Sequence, residues 1–288
     1  MRRWAIATAT ALLCSCAGAS LFTDNTSVSV GRTNEGRVRQ PAQLPLRGTG
    51  YLVPDKWRTR KFQYGTEELV TAVQRAAARV HAKDRRSKAG FADLSKKRGG
   101  SSAWHKSHHS GRDIDVLFYS TDESNKPLPP PARDMLAYGG DGKAKMAARQ
   151  TIPYDDEGWE GRRFDDKRNW WFLEALLTDP TIRLQWVFVS TDLEARLLQW
   201  ARRHKRPQWV IEYARVVLNQ PGDSLPHDNH FHIRVYCSRS DRFHGCTERG
   251  PVWQHEKKSF KYGGPEQYDP VRVRQLGLDG ETPVPTGG

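Results

Sequence analysis

Leu69, Val70, Val73, Ala76, Ala77 and Val80 recur at intervals of three and four behind Thr66, Glu67 and Glu68. That spacing gathers the apolar side chains on one stripe of a helix, places the two carboxylates at its positive end and makes Thr66 the expected N-cap. Further along, residues 113–120 read as a strand, 170–177 as a helix, 183–190 as a strand and 191–203 as another helix. A helix near 209–218 then precedes a strand over 230–237. Strands and helices mixed in this way predict a single α+β domain rather than a doubly wound sheet.

The flanks are patterned differently. Residues 21–50 are mostly Thr, Ser, Asn, Gly, Pro and Arg with little periodicity, which predicts a flexible tether. Residues 121–163, rich in Pro, Gly and charge, read as an insertion or an active-site loop, and residues 262–288 as a loosely ordered Gly/Pro-rich tail. At the start, Arg2 and Arg3 precede an apolar run from Trp4 to Leu13, far short of the ~20 residues of a membrane span and suited to an export signal. Two cleavage readings stand. Ala17-Gly-Ala19 offers a small-residue site that would release a soluble protein, whereas Leu13-Cys-Ser-Cys16 resembles a lipobox, and acylation of Cys16 would anchor the chain to a membrane. Either reading places the body outside the cytoplasm, in the periplasm or attached to the outer membrane. The expected organisation is an export signal over 1–19, a linker over 20–50, a domain over 51–261 and the tail.

Composition supports a folded, water-facing body, with 37% hydrophobic residues, enough for a core, and a mean hydropathy of -0.76. The net charge of +13 falls to +11 once Arg2 and Arg3 leave with the signal, which suits a polyanionic partner. For an exported protein that partner is a wall polymer sooner than a nucleic acid. Only Cys237 and Cys246 stay in the body after cleavage. In an oxidising compartment they are expected to pair as a disulfide; two free thiols or a metal pair are the alternatives, the latter lacking the second Cys pair of structural zinc sites.

The chemistry concentrates in two segments that hold six of the ten histidines, the run from Trp104 to Val116 and the run from Pro226 to Ile233. The first carries His105, His108, His109, Asp113 and Asp115; the second carries His227, His230 and His232. Imidazole and carboxylate together are what zinc and similar ions bind. On strands, His230 and His232 share a face, as do Asp113 and Asp115, while Ser110-Gly-Arg112 lets the chain turn so that His108 and Asp115 can meet at one ion. One histidine of the second strand would complete three ligands and leave a fourth position open, the arrangement of a catalytic rather than a structural zinc. A lone H-x-H is more often a surface or core feature; two motifs in order raise the weight of the metal reading. His109, His81, His204, His244 and His255 are expected to face solvent, most tryptophans to be core, and Trp104 to be a substrate contact.

These residues resemble the LAS metallopeptidases, which share H-x6-D followed much later by H-x-H, here His108 to Asp115 and His230-Phe-His232. The murein endopeptidase branch is nearer still, through Ser107-His-His-Ser-Gly-Arg-Asp-Ile-Asp115, the additional His105, and His227-Asp-Asn-His-Phe-His232. The resemblance extends weakly from about Tyr64 to Cys246. It implies a LAS/hedgehog-like fold with a central antiparallel sheet flanked by helices, and one zinc ion held by His108, Asp115 and His232. It further implies His230 as the residue that accepts and returns a proton, His105 and His227 in the same cleft, and Cys237 paired with Cys246. Asp113, on the ligand face, is expected to orient an imidazole or the bound water. The implied activity is hydrolysis of peptidoglycan cross-links of the D-alanyl to diaminopimelyl type. A D,D- or L,D-carboxypeptidase is the near alternative, and a non-catalytic zinc module that binds the wall is the distant one. A zinc nuclease fits the export signal and the motif order less well.

Overall fold

The two motif-bearing segments become adjacent strands at the centre of a seven-stranded sheet. A computed structural model describes residues 26–146, 158–222 and 224–253; the export signal, Cys16 and the Gly/Pro-rich tail lie outside them. Numbered along the chain, the sheet strands are β1 (Arg47–Gly48), β2 (Tyr51–Leu52), β3 (Ala89–Phe91), β4 (Asp113–Leu117), β5 (Leu184–Phe188), β6 (Leu218–Asn219) and β7 (His230–Val235). They lie in the order β6-β5-β7-β4-β3-β2-β1. The helices are α1 (Asp55–Arg60), α2 (Glu67–Lys83), α3 (Asp166–Leu177), α4 (Thr191–Arg203), α5 (Gln208–Val217) and α6 (Arg239–Phe243).

The central strands β5, β7, β4 and β3 run antiparallel to one another, as expected, but the sheet as a whole is mixed. β2 pairs with β3 in parallel and β5 pairs with β6 in parallel. Parallel neighbours need a crossover, and helices supply both: α1 and α2 connect β2 to β3, and α4 and α5 connect β5 to β6. Ile114, Val116, Phe231 and Ile233, on the face of β4 and β7 opposite the motif residues, are fully buried in one core with Leu69, Val73, Trp170, Leu173, Leu197 and Val210. The apolar stripe of α2 is therefore core throughout, as its spacing predicts.

Several boundaries differ from the sequence expectation for identifiable reasons. Thr66 occupies the N-cap position of α2, yet its side chain makes no cap bond; the first amide of the helix, Glu67 N, donates instead to Ser27 Oγ at 2.8 Å. The strand expected over 113–120 stops at Leu117 because Asn169 on α3 takes both backbone groups of Tyr119, at 2.9 and 2.8 Å. α3 starts before Trp170, at Asp166, because the Asp165 side chain caps it by accepting from Arg168 N. The strand expected to reach Cys237 ends at Val235, and Cys237 N turns to Glu248 Oε1 at 2.7 Å.

The largest correction is to the linker. From residue 26 onward it is built into the fold: Val28–Val30 pairs with Arg37–Arg39, Ala42–Gln43 pairs with Tyr64–Gly65, and Val38 and Leu44 are buried. Cys237 and Cys246 are joined as a disulfide, and Gly31 bridges to Cys246, so the first hairpin is stitched to the loop that follows β7. Within 121–163 the described residues form only two-residue strands, although Leu136, Ala137 and Tyr138 are buried rather than looped into solvent.

Candidate metal centre

The ladder between β4 and β7 sets the site. In it His232 faces Asp115, Arg234 faces Asp113 and His230 faces Leu117, and paired residues of an antiparallel ladder project to the same side. Strand alternation alone thus brings two carboxylates and two imidazoles to one face. His108 arrives from the preceding turn in a left-handed backbone conformation, φ 68°, a strain on the order of 1–3 kcal/mol for a residue with a Cβ. Its amide donates to Asp113 Oδ2 at 3.3 Å. Gly111 makes the next bend at φ +75°, where a Cβ would stand 3.2 Å from Val38.

Asp115 is the hub. Its Oδ1 lies 3.4 Å from His108 Nε2, 3.2 Å from His232 Nδ1 and 3.4 Å from His230 Nε2, and its Oδ2 lies 3.8 Å from His105 Nδ1. His105, His108 and Asp115 each offer a ligand atom within 4.8 Å of the others, and so do His227, His230 and His232. The expected trio of His108, Asp115 and His232 thus draws on both groups, with Asp115 between them.

Hydrogen bonds aim the rings. His108 Nδ1 donates to the Leu94 carbonyl at 2.7 Å, and His232 Nε2 donates to Asp113 Oδ1 at 2.9 Å. Carbonyl and carboxylate oxygens only accept, so each proton sits on the outer nitrogen and the inner one, His108 Nε2 or His232 Nδ1, keeps its lone pair toward Asp115. His230 Nδ1 is likewise engaged by Asn229 Oδ1 at 2.6 Å, which turns Nε2 inward. Arg234 Nε donates to Asp113 Oδ1 at 2.7 Å, and Phe188, paired with His232 across the other edge of β7, sets its ring 5.2 Å from that imidazole.

Burial opposes ionisation of Asp113, but Arg234 and the His232 hydrogen bond outweigh it and hold the carboxyl below the usual carboxylate range. Burial also opposes ionisation of Asp115, and His108 and His230 more than offset it. For His232 burial favours the neutral ring, yet the hydrogen bond to Asp113 and the negative charge of Asp113 and Asp115 raise its pKa. Burial, with His230 and His232 nearby, pushes His227 down to about 3.

The donor set fits a small divalent ion. Asp115 Oδ1 and His108 Nε2 are buried with no hydrogen-bond partner, an expensive state that a cation relieves. Donor atoms at about 2.0–2.2 Å from a tetrahedral ion lie about 3.3–3.6 Å from one another, close to the separations around Asp115. Imidazole nitrogen with one carboxylate is a set suited to zinc.

All the residues singled out from sequence, His105, His108, Asp113, Asp115, His227, His230 and His232, converge here. His109 does not: expected in solvent, it is 8% exposed, with its amide donating to the Thr33 carbonyl under the first hairpin. Trp104 is 61% exposed beside the cleft, and Trp170 and Trp200 are core. The sequence reading missed Arg234, Asp93 and Arg60. Arg234 follows His232 by two and so shares its face, a signal that alternation carries; Asp93 is a lone carboxylate in the otherwise apolar run from Ala89 to Leu94, and a buried charge in such a run demands a partner.

A family model described as penicillin-insensitive murein endopeptidase matches residues 29–259. No curated protein matches the chain.

Proposed function

The chain belongs to the penicillin-insensitive murein endopeptidases, peptidases of the bacterial cell wall, and from that premise we propose that it is a zinc enzyme that hydrolyses peptidoglycan cross-links of the D-alanyl to diaminopimelyl type. The ligands in this reading are His108, Asp115 and His232, and the ion is single. The observation that carries it is the ladder register that sets His232 Nδ1 3.2 Å from Asp115 Oδ1, with His108 Nε2 completing the set.

Zinc bound there supplies Lewis-acid activation of a water molecule and of the scissile carbonyl. The chain supplies the proton chemistry. His230, with Nδ1–H given to Asn229, has a free Nε2 that takes a proton from the attacking water; as oxygen adds to the carbonyl carbon and the C–N bond breaks, the same ring returns that proton to the departing amine. Asp113 keeps His232 in the tautomer that faces inward. His105 and His227 line the cleft walls.

A murein substrate supports an exported protein, in keeping with the export signal expected over residues 1–19, which lie outside the described ones. Among the described residues no helix is long and apolar enough to cross a membrane.

Mass analysis of products from cross-linked muropeptide dimers tests the activity. Conversion of dimers to monomers with terminal D-alanine retained is the expected result. Release of D-alanine from intact dimers would replace the endopeptidase reading with a carboxypeptidase, and tight retention on wall material with no cleavage would replace it with a binding module.

A further inference from the structure

His105 lies on a loop whose placement depends on two residues far off in sequence. Its Nε2 is 2.8 Å from Asp93 Oδ2, and the same oxygen accepts from Arg60 Nη1 at 2.5 Å. Asp93 is fully buried, and its main chain is part of the same frame: its carbonyl accepts from Asp115 N at 3.0 Å, and the next carbonyl, of Leu94, orients His108. Because a carboxylate only accepts, the proton of His105 sits on Nε2 and the lone pair on Nδ1, the nitrogen that faces Asp115 Oδ2 at 3.8 Å. Arg60, the last residue of α1, is itself held on its other side. Its guanidinium carbon stands 4.3 Å from the centre of the Trp104 ring, at cation–π distance. The loop is further tied through Ser102 Oγ, which accepts from Trp104 N and His105 N at 3.3 and 3.2 Å.

We propose that Asp93, braced by Arg60 beneath Trp104, is a positioning residue that fixes the tautomer and direction of His105 so that Nδ1, facing Asp115, stands in the cleft as a hydrogen-bond acceptor for substrate or water. The inference rests on the endopeptidase reading for its kinetic consequence but not for its geometry. The same carboxylate that aligns His105 is bonded to the guanidinium under Trp104, so the exposed aromatic at the rim and the imidazole in the cleft share one support.

The test compares Asp93→Ala, Asp93→Asn and His105→Ala, alone and combined. Asp93→Ala is expected to lower kcat by about 10- to 100-fold, the range for residues that orient a site from behind, with KM and zinc content unchanged. Asp93→Asn, whose amide oxygen can still accept from Nε2–H, should recover most of that loss. Asp93→Ala should cost nothing further in the His105→Ala background. Nitrogen-15 imidazole spectra should show His105 as the Nε2–H tautomer in the wild type and in Asp93→Asn, and a tautomer mixture in Asp93→Ala. If the alanine variant does not fold, Asp93→Leu takes its place. An equal loss from Asp93→Ala with and without His105, or an unchanged tautomer with kcat within twofold of wild type, overturns the proposal. The spectra need no substrate, so a tautomer change in a protein that cuts no murein would reject the endopeptidase reading and leave the Asp93 arrangement standing.

Discussion

His232 faces Asp115 directly across the central antiparallel ladder, with Nδ1 3.2 Å from Oδ1, although the two residues lie far apart in the sequence. A register slip of one residue would turn His232 into the core and Phe231 into the cleft. The chemistry of the site is therefore bound to the packing of Ile114, Val116, Phe231 and Ile233 behind it.

His230 and His232 sit two residues apart on one face, and the proposed mechanism gives them different duties. His230→Ala is expected to keep the bound metal and lower kcat by about 10²- to 10⁴-fold, the usual worth of a general acid–base group. Metal analysis alongside steady-state kinetics checks this. Loss of metal from His230→Ala would make the residue a ligand instead.

Asp113 joins His232 to Arg234. Asp113→Leu removes the acceptor that sets the His232 tautomer and leaves the buried guanidinium of Arg234 without its carboxylate. Metal affinity is expected to weaken by about 10- to 100-fold and stability to fall by about 3–5 kcal/mol, read by metal-competition titration and by urea unfolding. Unchanged affinity would remove Asp113 from the site.

Glu68 and Asp241 should each subtract stability as pH rises through the weakly acidic range, against the gain that the depressed His227 makes over the same range. Glu68, partly exposed but with Oε1 buried, is pushed up to about 7 by burial and by repulsion from Asp241; Asp241, 1% exposed, is pushed up to about 6, mainly by burial. Both folded-state values exceed the unfolded ones, so the folded protein binds more protons. The stability they leave intact near pH 4 is lost on the way to pH 7 and stays constant above it. A loss on the order of 1–3 kcal/mol is expected from Glu68, and Glu68→Gln should remove it, shifting the slope of Tm against pH between 5 and 8 upward relative to the wild type. The same slope in the variant would contradict this assignment.

The disulfide between Cys237 and Cys246 spans nine positions and ties the end of β7 to the first hairpin through Gly31. A loop of that length contributes about 2–3 kcal/mol by chain entropy. Reductant, or Cys246→Ser, should lower Tm accordingly, and calorimetry with and without reductant measures it. A Tm that does not respond would show the hairpin to be held by other contacts.

What the sequence disclosed was local. The period of α2 and the alternation around His232 are short-range patterns, and they located the helix and put His230 and His232 on one face; His105 and His227 were placed in the cleft through the resemblance to the murein endopeptidases. What it hid depends on contacts between distant residues. Ser27 rather than Thr66 meets the first amide of α2, Asn169 ends a strand fifty positions away, and Arg60 reaches Asp93 across thirty-three. The strands of the supposed tether are two or three residues long, too short for any period to register, and were legible only once the hairpin had something to pack against.

The most direct test of the account is the zinc content of purified wild type and His232→Ala, determined by elemental analysis after exhaustive dialysis, with cleavage of muropeptide dimers followed on the same samples. The account predicts about one zinc per wild-type chain and loss of both zinc and cleavage in the variant, since two remaining ligands hold the ion poorly. Retention of a full zinc complement by His232→Ala, or dimer cleavage by metal-free wild type, would contradict it.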